Sequence, residues 1–287
     1  MKSITLISMA SLASASILWD GRFNGVSLAD ISKWDFSNPV GPYQWYIHGD
    51  GPITEYLDLS PSNKNTADTG SSTGLKVTID NTAYWHGQNM RRTELIPQTT
   101  APINKGKVFY HFSIMRKGVN PPSTDREHQI CFFESHFTEL KSGSLGSAGS
   151  SDTKLKWFVG GQSQWETEWE AGVWHNVAYA IDFDAGTVGF YHSVGGANLV
   201  KVGDKPVAAS TSSNGADWHL GVLELPRNGV ADSNEDFFFS GVYVEDGNIT
   251  LSVSGPGGKF STQFLNPPST LENKPSDAMI LVRTLTM

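Results

Sequence analysis

The chain is poor in cysteine: Cys131 is the only one in 287 residues. An intrachain disulfide is therefore excluded, and stability must come from burial of apolar surface, which a chain of this length can supply. Cys131 lies in an apolar stretch, residues 130–133. Because a free cysteine packs as a small hydrophobic side chain, we predict a buried, unreactive thiol and not a nucleophile.

Long apolar runs and basic clusters are also scarce. Apart from a short run near the N-terminus, no segment approaches the length that spans a bilayer. The formal net charge is −8 and no basic block occurs. Nucleic acid and anionic membrane surfaces are therefore poor partners, and we expect a soluble monomer.

The short N-terminal run has the features of a secretory signal. Lys2 precedes an apolar stretch, residues 4–12, and Ala13, Ser14 and Ala15 then form a small-residue cleavage site. The sequence thus predicts a signal peptide over residues 1–15. The product is then extracellular, and its mature chain begins near Ser16 or Ile17.

Motifs for several common chemistries are missing. The sequence has no G-x-S-x-G elbow, no phosphate-binding loop and no dinucleotide fingerprint. None of its 8 histidines has the H-E-x-x-H spacing of a zinc site. We therefore predict no cofactor and no catalytic metal. Asp20 and Asp246 remain candidate ligands for a structural calcium ion at a sheet edge.

Glycine, serine, threonine and short alternating runs are what the sequence has in abundance. Turn sequences separate the runs, which is typical of an all-β sandwich. We predict a β-jelly roll of two antiparallel sheets with a concave substrate cleft, formed by residues 16–252. Residues 253–287 are interpreted as a Gly/Pro-containing tail without a carbohydrate-binding module. The runs are residues 74–80, 90–96, 107–116, 128–138, 154–159, 173–183, 187–193, 218–225 and 237–245.

Two of these runs carry an acid among polar and aromatic neighbours. Side chains alternate between the faces of a strand, so Arg92 and Glu94 should share a face. By the same parity His128, Glu134 and His136 should share one. We predict that Arg92, His128 and His136 contact the substrate. Two facing carboxylates are what glycoside hydrolysis requires. We predict Glu134 as the proton donor, its pKa raised by partial desolvation, and Glu94 as base or nucleophile, although the opposite assignment stays open.

Further residues are candidates for contact with a sugar. His219 is expected to bond a carboxylate or a sugar hydroxyl, a purely structural role being the alternative. Gln129 offers an amide, but its parity places it opposite Glu134 unless a bulge intervenes. Trp85, Trp165 and Trp218 are candidate stacking platforms, with core packing as the alternative for each.

Other acids compete for the catalytic role. Glu224 is flanked by apolar residues, and we expect it to be buried and paired with Arg227 or a tyrosine. Glu139 is expected to be a surface charge, as are Glu166, Glu168 and Glu170.

Several sequence blocks together resemble glycoside hydrolase family 131, from about residue 17 to residue 250. The blocks include LWDGRF at 18–23, MRRTELIPQ at 90–98, EHQICFFESHFTE at 127–139 and SNGADWHLGVLELPRNG at 213–229. The resemblance implies a secreted fungal or oomycete β-glucanase with a β-jelly roll that accepts β-1,3, β-1,4 and β-1,6 linkages. It also implies catalytic acids at Glu94 and Glu134 and a site histidine at His219. The tail from residue 253 resembles nothing in the family.

Two other functions fit the same sandwich. A glucan-binding lectin would keep Trp85 and Trp218 but would need neither glutamate. A polysaccharide lyase would use a basic cleft, for which Arg91, Arg92, His128 and His136 are available, although the net charge of −8 argues against a polyanionic substrate. For the hydrolase we favour inversion, which requires carboxyl groups ~6.5–9.5 Å apart.

Overall fold

Fifteen β-strands form most of the regular structure in the computed structural model, which describes residues 15–33, 42–47, 49–85, 87–146 and 149–256. The predicted signal peptide (1–15) and tail (253–287) lie almost wholly outside the described residues. Within these ranges, neither α-helix is long or apolar enough to cross a bilayer.

The strands follow one another along the chain with short connections. They are β1 (Ser16–Asp20), β2 (Tyr43–Ile47), β3 (Leu57–Ser60), β4 (Gly74–Ile79), β5 (Arg91–Pro97), β6 (Lys107–Arg116), β7 (His128–Phe133), β8 (Thr138–Ser142), β9 (Lys154–Val159), β10 (Gln162–Glu168), β11 (His175–Asp182), β12 (Thr187–Val194), β13 (Val200–Ala208), β14 (Trp218–Glu224) and β15 (Glu235–Asp246). Two helices, α1 (Leu28–Ile31) and α2 (Ile53–Tyr56), and a 3-10 helix (Pro61–Asn63) complete the elements.

The strands form two antiparallel sheets. One has eight strands in the order β13-β12-β11-β6-β15-β4-β3, with β1 paired to β15. The other has seven strands in the order β10-β9-β8-β7-β14-β5-β2. Sequence neighbours are often not spatial neighbours, as where β14 lies between β5 and β7. The predicted all-β jelly roll of two antiparallel sheets is confirmed.

Apolar side chains at alternate positions fill the space between the sheets. In β6 the side chains of Val108, Tyr110, Phe112 and Ile114 are all part of the core, as the alternation predicts. We call the core-facing side of each sheet its inner face and the opposite side its outer face. The outer face of the seven-stranded sheet holds the candidate active site.

Strand β7 changes face in its middle, at Cys131. This residue has a φ of 48°, and the pairing of β7 with β14 shifts register nearby. Ile130 and Phe133 therefore both enter the core, while Phe132 lies on the outer face. The Cys131 side chain is fully buried, as predicted, and burial raises the pKa of its thiol.

The strand expected over residues 128–138 is two strands. β7 ends at Phe133, and the chain turns through His136, whose φ is 52°, into β8. Strand β8 ends at Ser142, and a loop then leads to β9. The strands that alternation did not predict are β1, β2, β3, β8, β10 and β13.

Candidate active site

Arg92 and Glu94 share the outer face of β5, because Leu95 takes the alternate position and enters the core. The Arg92 guanidinium donates two hydrogen bonds to the Glu94 carboxylate. They run from Nε to Oε1 at 2.7 Å and from Nη2 to Oε2 at 2.9 Å. Such a two-point contact fixes the orientation of the carboxylate.

His219 connects the two predicted catalytic acids. It lies on β14, between β5 and β7, and its ring reaches an acid on each side. Nδ1 is 2.5 Å from Oε2 of Glu94, and Nε2 is 3.1 Å from Oε2 of Glu134. The prediction that His219 bonds a carboxylate is confirmed, and the imidazole in fact contacts both.

A glycine allows β14 to lie close to β5 beside Glu94. Gly221 of β14 is paired with Glu94 of β5 and has a φ of 148°. A Cβ at this position would lie 2.2 Å from the Thr93 carbonyl oxygen, far inside contact distance. A residue with a side chain would thus push β14 away from β5 and move His219 with it.

The two acids differ in exposure. Glu94 and His219 are buried, whereas the Glu134 side chain is 58 % exposed, because it follows the end of β7. The backbone N–H of Glu134 donates to the Asp217 carbonyl at 2.9 Å, which holds this turn against β14. Glu134 is therefore the acid that a ligand on the outer face can reach.

The His219 imidazole and the two glutamates shift each other's pKa. Burial alone would lower the pKa of His219, but Glu94 and Glu134 outweigh it and raise the pKa to about 9. The hydrogen bond from His219 in turn lowers the pKa of the Glu134 carboxyl. The predicted rise in the Glu134 pKa is wrong, because a cationic hydrogen-bond donor dominates over desolvation at a half-exposed position.

Three rings form a stack beside the acids. Phe132 is stacked on His219, with ring centroids 4.6 Å apart, and on His136, with centroids 5.1 Å apart. His136 shares a hydrogen bond between Nδ1 and Oε2 of Glu139 at 3.1 Å. His136 thus lies on the same face as Glu134, as the alternation predicted, and its role in substrate binding stays a prediction.

His128 does not belong to this site, which corrects its prediction as a substrate-binding residue. Its side chain is buried on the inner face of β7, because the face changes at Cys131 and not at the strand's end. Nε2 lies 2.7 Å from Oε2 of Glu235 and 3.3 Å from Oε2 of Glu224. The parity argument failed because it assumed a regular strand.

Gln129 changes position for the same reason. The face change at Cys131 puts it on the outer face, where Nε2 donates to Glu127 Oε1 at 3.1 Å. It is half-buried and lies on the same face as Phe132. The bulge that a sugar-binding role required is therefore present.

The predicted platforms Trp218 and Trp165 are core residues. Trp218 is buried, packs edge-on against Tyr110, and donates from Nε1 to the Cys131 carbonyl at 3.3 Å. Trp165 packs against Phe190 of the other sheet, so it faces inward from β10. Even positions on β14 point to the core, which excludes Trp218 from the face that holds His219. Trp85 is half-buried just before β5 and stays a prediction.

Glu224 is buried and paired, as expected, but with other partners. Arg91 contacts it from Nη2 at 2.6 Å and Arg126 from Nη1 at 2.7 Å. Together with His128 and Glu235 they form a cluster on the inner face that we call the buried ionic cluster. Arg227 instead donates to the backbone carbonyls of Asp125 and Gly149.

The described residues contain one group with metal-ligand geometry, which lies inside the buried ionic cluster: His128, Glu224 and Glu235. Two guanidinium groups already compensate its carboxylates, so the cluster fits a metal ion poorly. Asp20 and Asp246, the candidate calcium ligands, lie at opposite ends of the ladder between β1 and β15. Asp20 is bonded to Arg22 instead.

Glu139 is a site residue that the sequence did not predict. It is buried on the outer face of β8, where it contacts His136 and lies 3.4 Å from Nζ of Lys141. Its signal was the alternation of residues 138–142, with Leu140 inward and Glu139 and Lys141 outward. A continuous strand from residue 128 hid that pattern.

Comparisons with known proteins identify the family. The family model described as the glycoside hydrolase 131 catalytic N-terminal domain matches residues 17–250. Among curated proteins, none matches the chain.

Two solved structures are similar over most of the chain. The crystal structure of a GH131 β-glucanase catalytic domain from Podospora anserina is 68 % identical. It covers 84 % of this chain and 100 % of that one, with a TM-score of 0.81. The catalytic domain of a family 131 protein from Coprinopsis cinerea is 50 % identical. It covers 82 % of this chain and 97 % of that one, with a TM-score of 0.76. The chain therefore belongs to glycoside hydrolase family 131.

Proposed function

We propose that this glycoside hydrolase is a secreted β-glucanase that uses Glu94, Glu134 and His219 to cleave β-1,3, β-1,4 and β-1,6 bonds. The observation that carries the proposal is the imidazole bridge between two glutamates on the outer face. A binding protein would not need that bridge. The Podospora anserina relative is a β-glucanase, which supports the same substrate class.

Exposure and charge assign the roles within the bridge. Glu134 is exposed and its lowered pKa keeps it ionised, which suits the base that takes a proton from the attacking water. The proton for the leaving oxygen comes from the pair of Glu94 and protonated His219. This reverses the assignment expected from the sequence, in which Glu134 was the donor.

The bonds and protons of the hydrolysis can be followed through this arrangement. The oxygen of water attacks the anomeric carbon, its proton passes to Glu134, and the glycosidic bond breaks as the leaving oxygen accepts a proton from the Glu94–His219 pair. That pair is buried in the unliganded protein, so the substrate reaches it only after covering side chains shift. Proton exchange with solvent then restores the resting state.

The spacing of the two acids favours inversion. The two carboxylates lie on opposite sides of one imidazole and do not contact each other, which supports the wider separation of inverting enzymes, ~6.5–9.5 Å. A retaining mechanism would need the two carboxyl groups to be closer, with nothing between them. Proton NMR of the first-formed anomer tests this directly.

Gln129, His136 and Trp85 are the side chains we propose for substrate binding. Gln129 and His136 lie on the same outer face as Phe132, and both carry polar atoms suited to sugar hydroxyls. Arg92 was expected in this group. Because its guanidinium is committed to Glu94 and is nearly buried, we assign it the role of orienting that carboxylate.

Release of reducing sugar from laminarin, mixed-linkage glucan and carboxymethyl cellulose tests the proposal. The wild-type protein should release sugar, and Glu134→Gln should lose at least ~100-fold of that rate, the usual contribution of a general acid or base. Asp217→Asn, in the neighbouring turn, serves as a folded control. Binding without release by the wild type would indicate a lectin, and products that absorb in the ultraviolet would indicate a lyase.

A further inference from the structure

A cavity of about 580 Å³ lies at the end of the sandwich opposite Glu134. Its wall comes from the loop between β6 and β7, the end of β8, the start of β9 and the loop between β14 and β15. Strand β7 spans six residues between this end and the catalytic end, so the two sites are separated by roughly 20 Å. The volume is in the range of small-molecule sites, ~300–1,000 Å³.

The polar groups of the wall are mostly hydroxyls and amides. They come from Asn120, Ser123, Thr124, Ser142, Thr153 and Asn234. These groups both donate and accept hydrogen bonds, as sugar hydroxyls do. Three of them are already bonded to other side chains of the protein, Asn120 to Asp236, Ser142 to His128 and Thr153 to Glu168, but their oxygens can still accept from a ligand. Thr124 and Asn234 can both donate to a ligand and accept from it.

The charged groups of the wall are two carboxylates, Asp125 and Asp152, and one guanidinium, Arg116. Arg116 donates from Nε to the Trp169 carbonyl at 2.5 Å. Asp152 accepts from Lys156 and from the backbone N–H of Lys154, and Asp125 accepts from the Ser151 hydroxyl. Because carboxylates outnumber the guanidinium in the wall, an anionic ligand would be repelled and a neutral ligand would not.

The wall is held in place by contacts to the strands beneath it. The Asn120 carbonyl accepts from the Asp236 N–H at 2.8 Å, and the Thr124 carbonyl accepts from the Asp152 N–H at 2.9 Å. The Ser123 N–H donates to Oε2 of Glu235, in the buried ionic cluster, at 3.0 Å. The cavity therefore exists without a ligand, and binding need not order the loops.

Trp169 lies at the cavity wall but cannot stack on a sugar ring. It lines the cavity, but it is only 2 % exposed because it packs toward Phe237, so its ring face is not available to stack on a sugar. Its indole Nε1 is buried and has no hydrogen-bond partner among the described residues. Binding must then rest on hydrogen bonds, which predicts millimolar affinity and makes the Trp169 indole a sensitive reporter.

We propose that this cavity is a second, non-catalytic site for a neutral saccharide. The ligand class is a short β-glucan chain or chain end, and in that respect the inference rests on the proposed function. Such a site would keep a polysaccharide on the protein while its cleavage point is presented to Glu134 at the other end of the sandwich.

The test uses the full chain carrying Glu134→Gln, so that the probes are not consumed. Neutral β-1,3- and β-1,4-glucotrioses are titrated while the indole N–H signals of the nine tryptophans are followed by NMR. The Trp169 signal, assigned with Trp169→Phe, should shift and saturate. Asn234→Trp, at the exposed rim, should weaken that response about tenfold or more.

Matched variants and a charged probe decide the outcome. Asn228→Trp introduces the same bulk in the same loop but outside the cavity, and it should leave the Trp169 response unchanged. If the Trp169 signal does not shift, or shifts equally in Asn234→Trp, the cavity is not a saccharide site. A trimer of glucuronic acid that binds as well as the neutral trioses overturns the ligand class.

The outcome is separable from that of the proposed function. Hydrolysis of glucans by the wild type with a silent Trp169 signal would refute this inference alone. A saturating Trp169 shift in a protein that hydrolyses no glucan would refute the proposed function and leave the site standing.

Discussion

The Nδ1 atom of His219 lies 2.5 Å from Oε2 of Glu94, and both side chains are buried. At this distance the imidazole and the carboxylate are directly hydrogen-bonded, and the second nitrogen of the ring extends the link to Glu134. The protonation of His219 therefore sets the charge on both sides of the site.

The first prediction concerns the alkaline limb of the pH profile of kcat/KM. Because Glu94 and Glu134 raise the pKa of His219 to about 9 against the effect of burial, kcat/KM should fall as the pH rises through about 9. His219→Asn should lower kcat/KM by ~100-fold or more and remove this limb, since general acid–base groups contribute ~10²–10⁴-fold. His192→Asn, on β12, is the control, and an unchanged limb in His219→Asn would count against the assignment.

The second prediction concerns stability and His128. Burial lowers its pKa, but Glu235 and Glu224 outweigh this and raise the pKa to about 9 in the folded protein. Its stabilising effect is therefore complete below pH 6.5, its unfolded value, and is lost as the pH rises through 9. The shift corresponds to ~3 kcal/mol.

Urea unfolding of the wild type and of His128→Gln between about pH 6 and pH 9.5 measures that effect. The wild type should lose stability over this range, and His128→Gln should lose less, the remainder coming from His219. Activity near the acidic end of the range should survive in the folded fraction of His128→Gln, because the residue lies on the inner face. An equal slope in both proteins would contradict the charge on His128.

The third prediction concerns Glu139, which positions His136. Glu139→Leu keeps the volume but removes the acceptor for His136 Nδ1, so the ring can rotate on Phe132. We expect KM to rise roughly tenfold with little change in kcat, as for loss of a ground-state binding contact. Lys141 keeps Glu127 as a partner at 2.6 Å, which limits the loss of stability.

Glu139→Gln provides the rescue for that variant. Its amide oxygen can still accept from the imidazole, so KM should return close to the wild-type value. If Glu139→Gln and Glu139→Leu are equally impaired, the charge of Glu139 and not its hydrogen bond is what matters.

The fourth prediction separates a core tryptophan from a binding tryptophan. Trp218→Ala should destabilise the fold by about 3–5 kcal/mol, because it empties a fully buried position between the sheets. Trp85→Ala should instead raise KM and leave the unfolding free energy nearly unchanged. Thermal unfolding combined with saturation kinetics on one glucan distinguishes the two cases.

Regular alternation was enough to predict much of this fold. Strand β6 has its inner and outer residues where a period of two places them, and β5 brings Arg92 and Glu94 to one face. Of the two acids, the placement of Glu94 was predictable because β5 is a regular strand, whereas Glu134 follows a strand that changes face. Their mutual position was not, since it depends on β14 lying between β5 and β7.

The failures occur where the backbone leaves the regular strand. The positive φ of Cys131 exchanged the faces of His128 and Gln129, and the turn at His136 hid Glu139 on a separate strand. No residue type in this stretch marks the change, because neither glycine nor proline is present. Exposed strands such as β13 lack a buried face, so they carry little alternation to detect.

The single thiol of Cys131 can also be used to measure how often the protein opens locally. A reagent that labels sulfhydryls cannot reach this sulfur while β7 lies between β8 and β14. Its labelling rate under native conditions therefore measures how often the strands at the centre of the seven-stranded sheet separate. Because no other cysteine competes for the reagent, the effects of substrate, pH and substitution can be compared on one kinetic scale, without a denaturant.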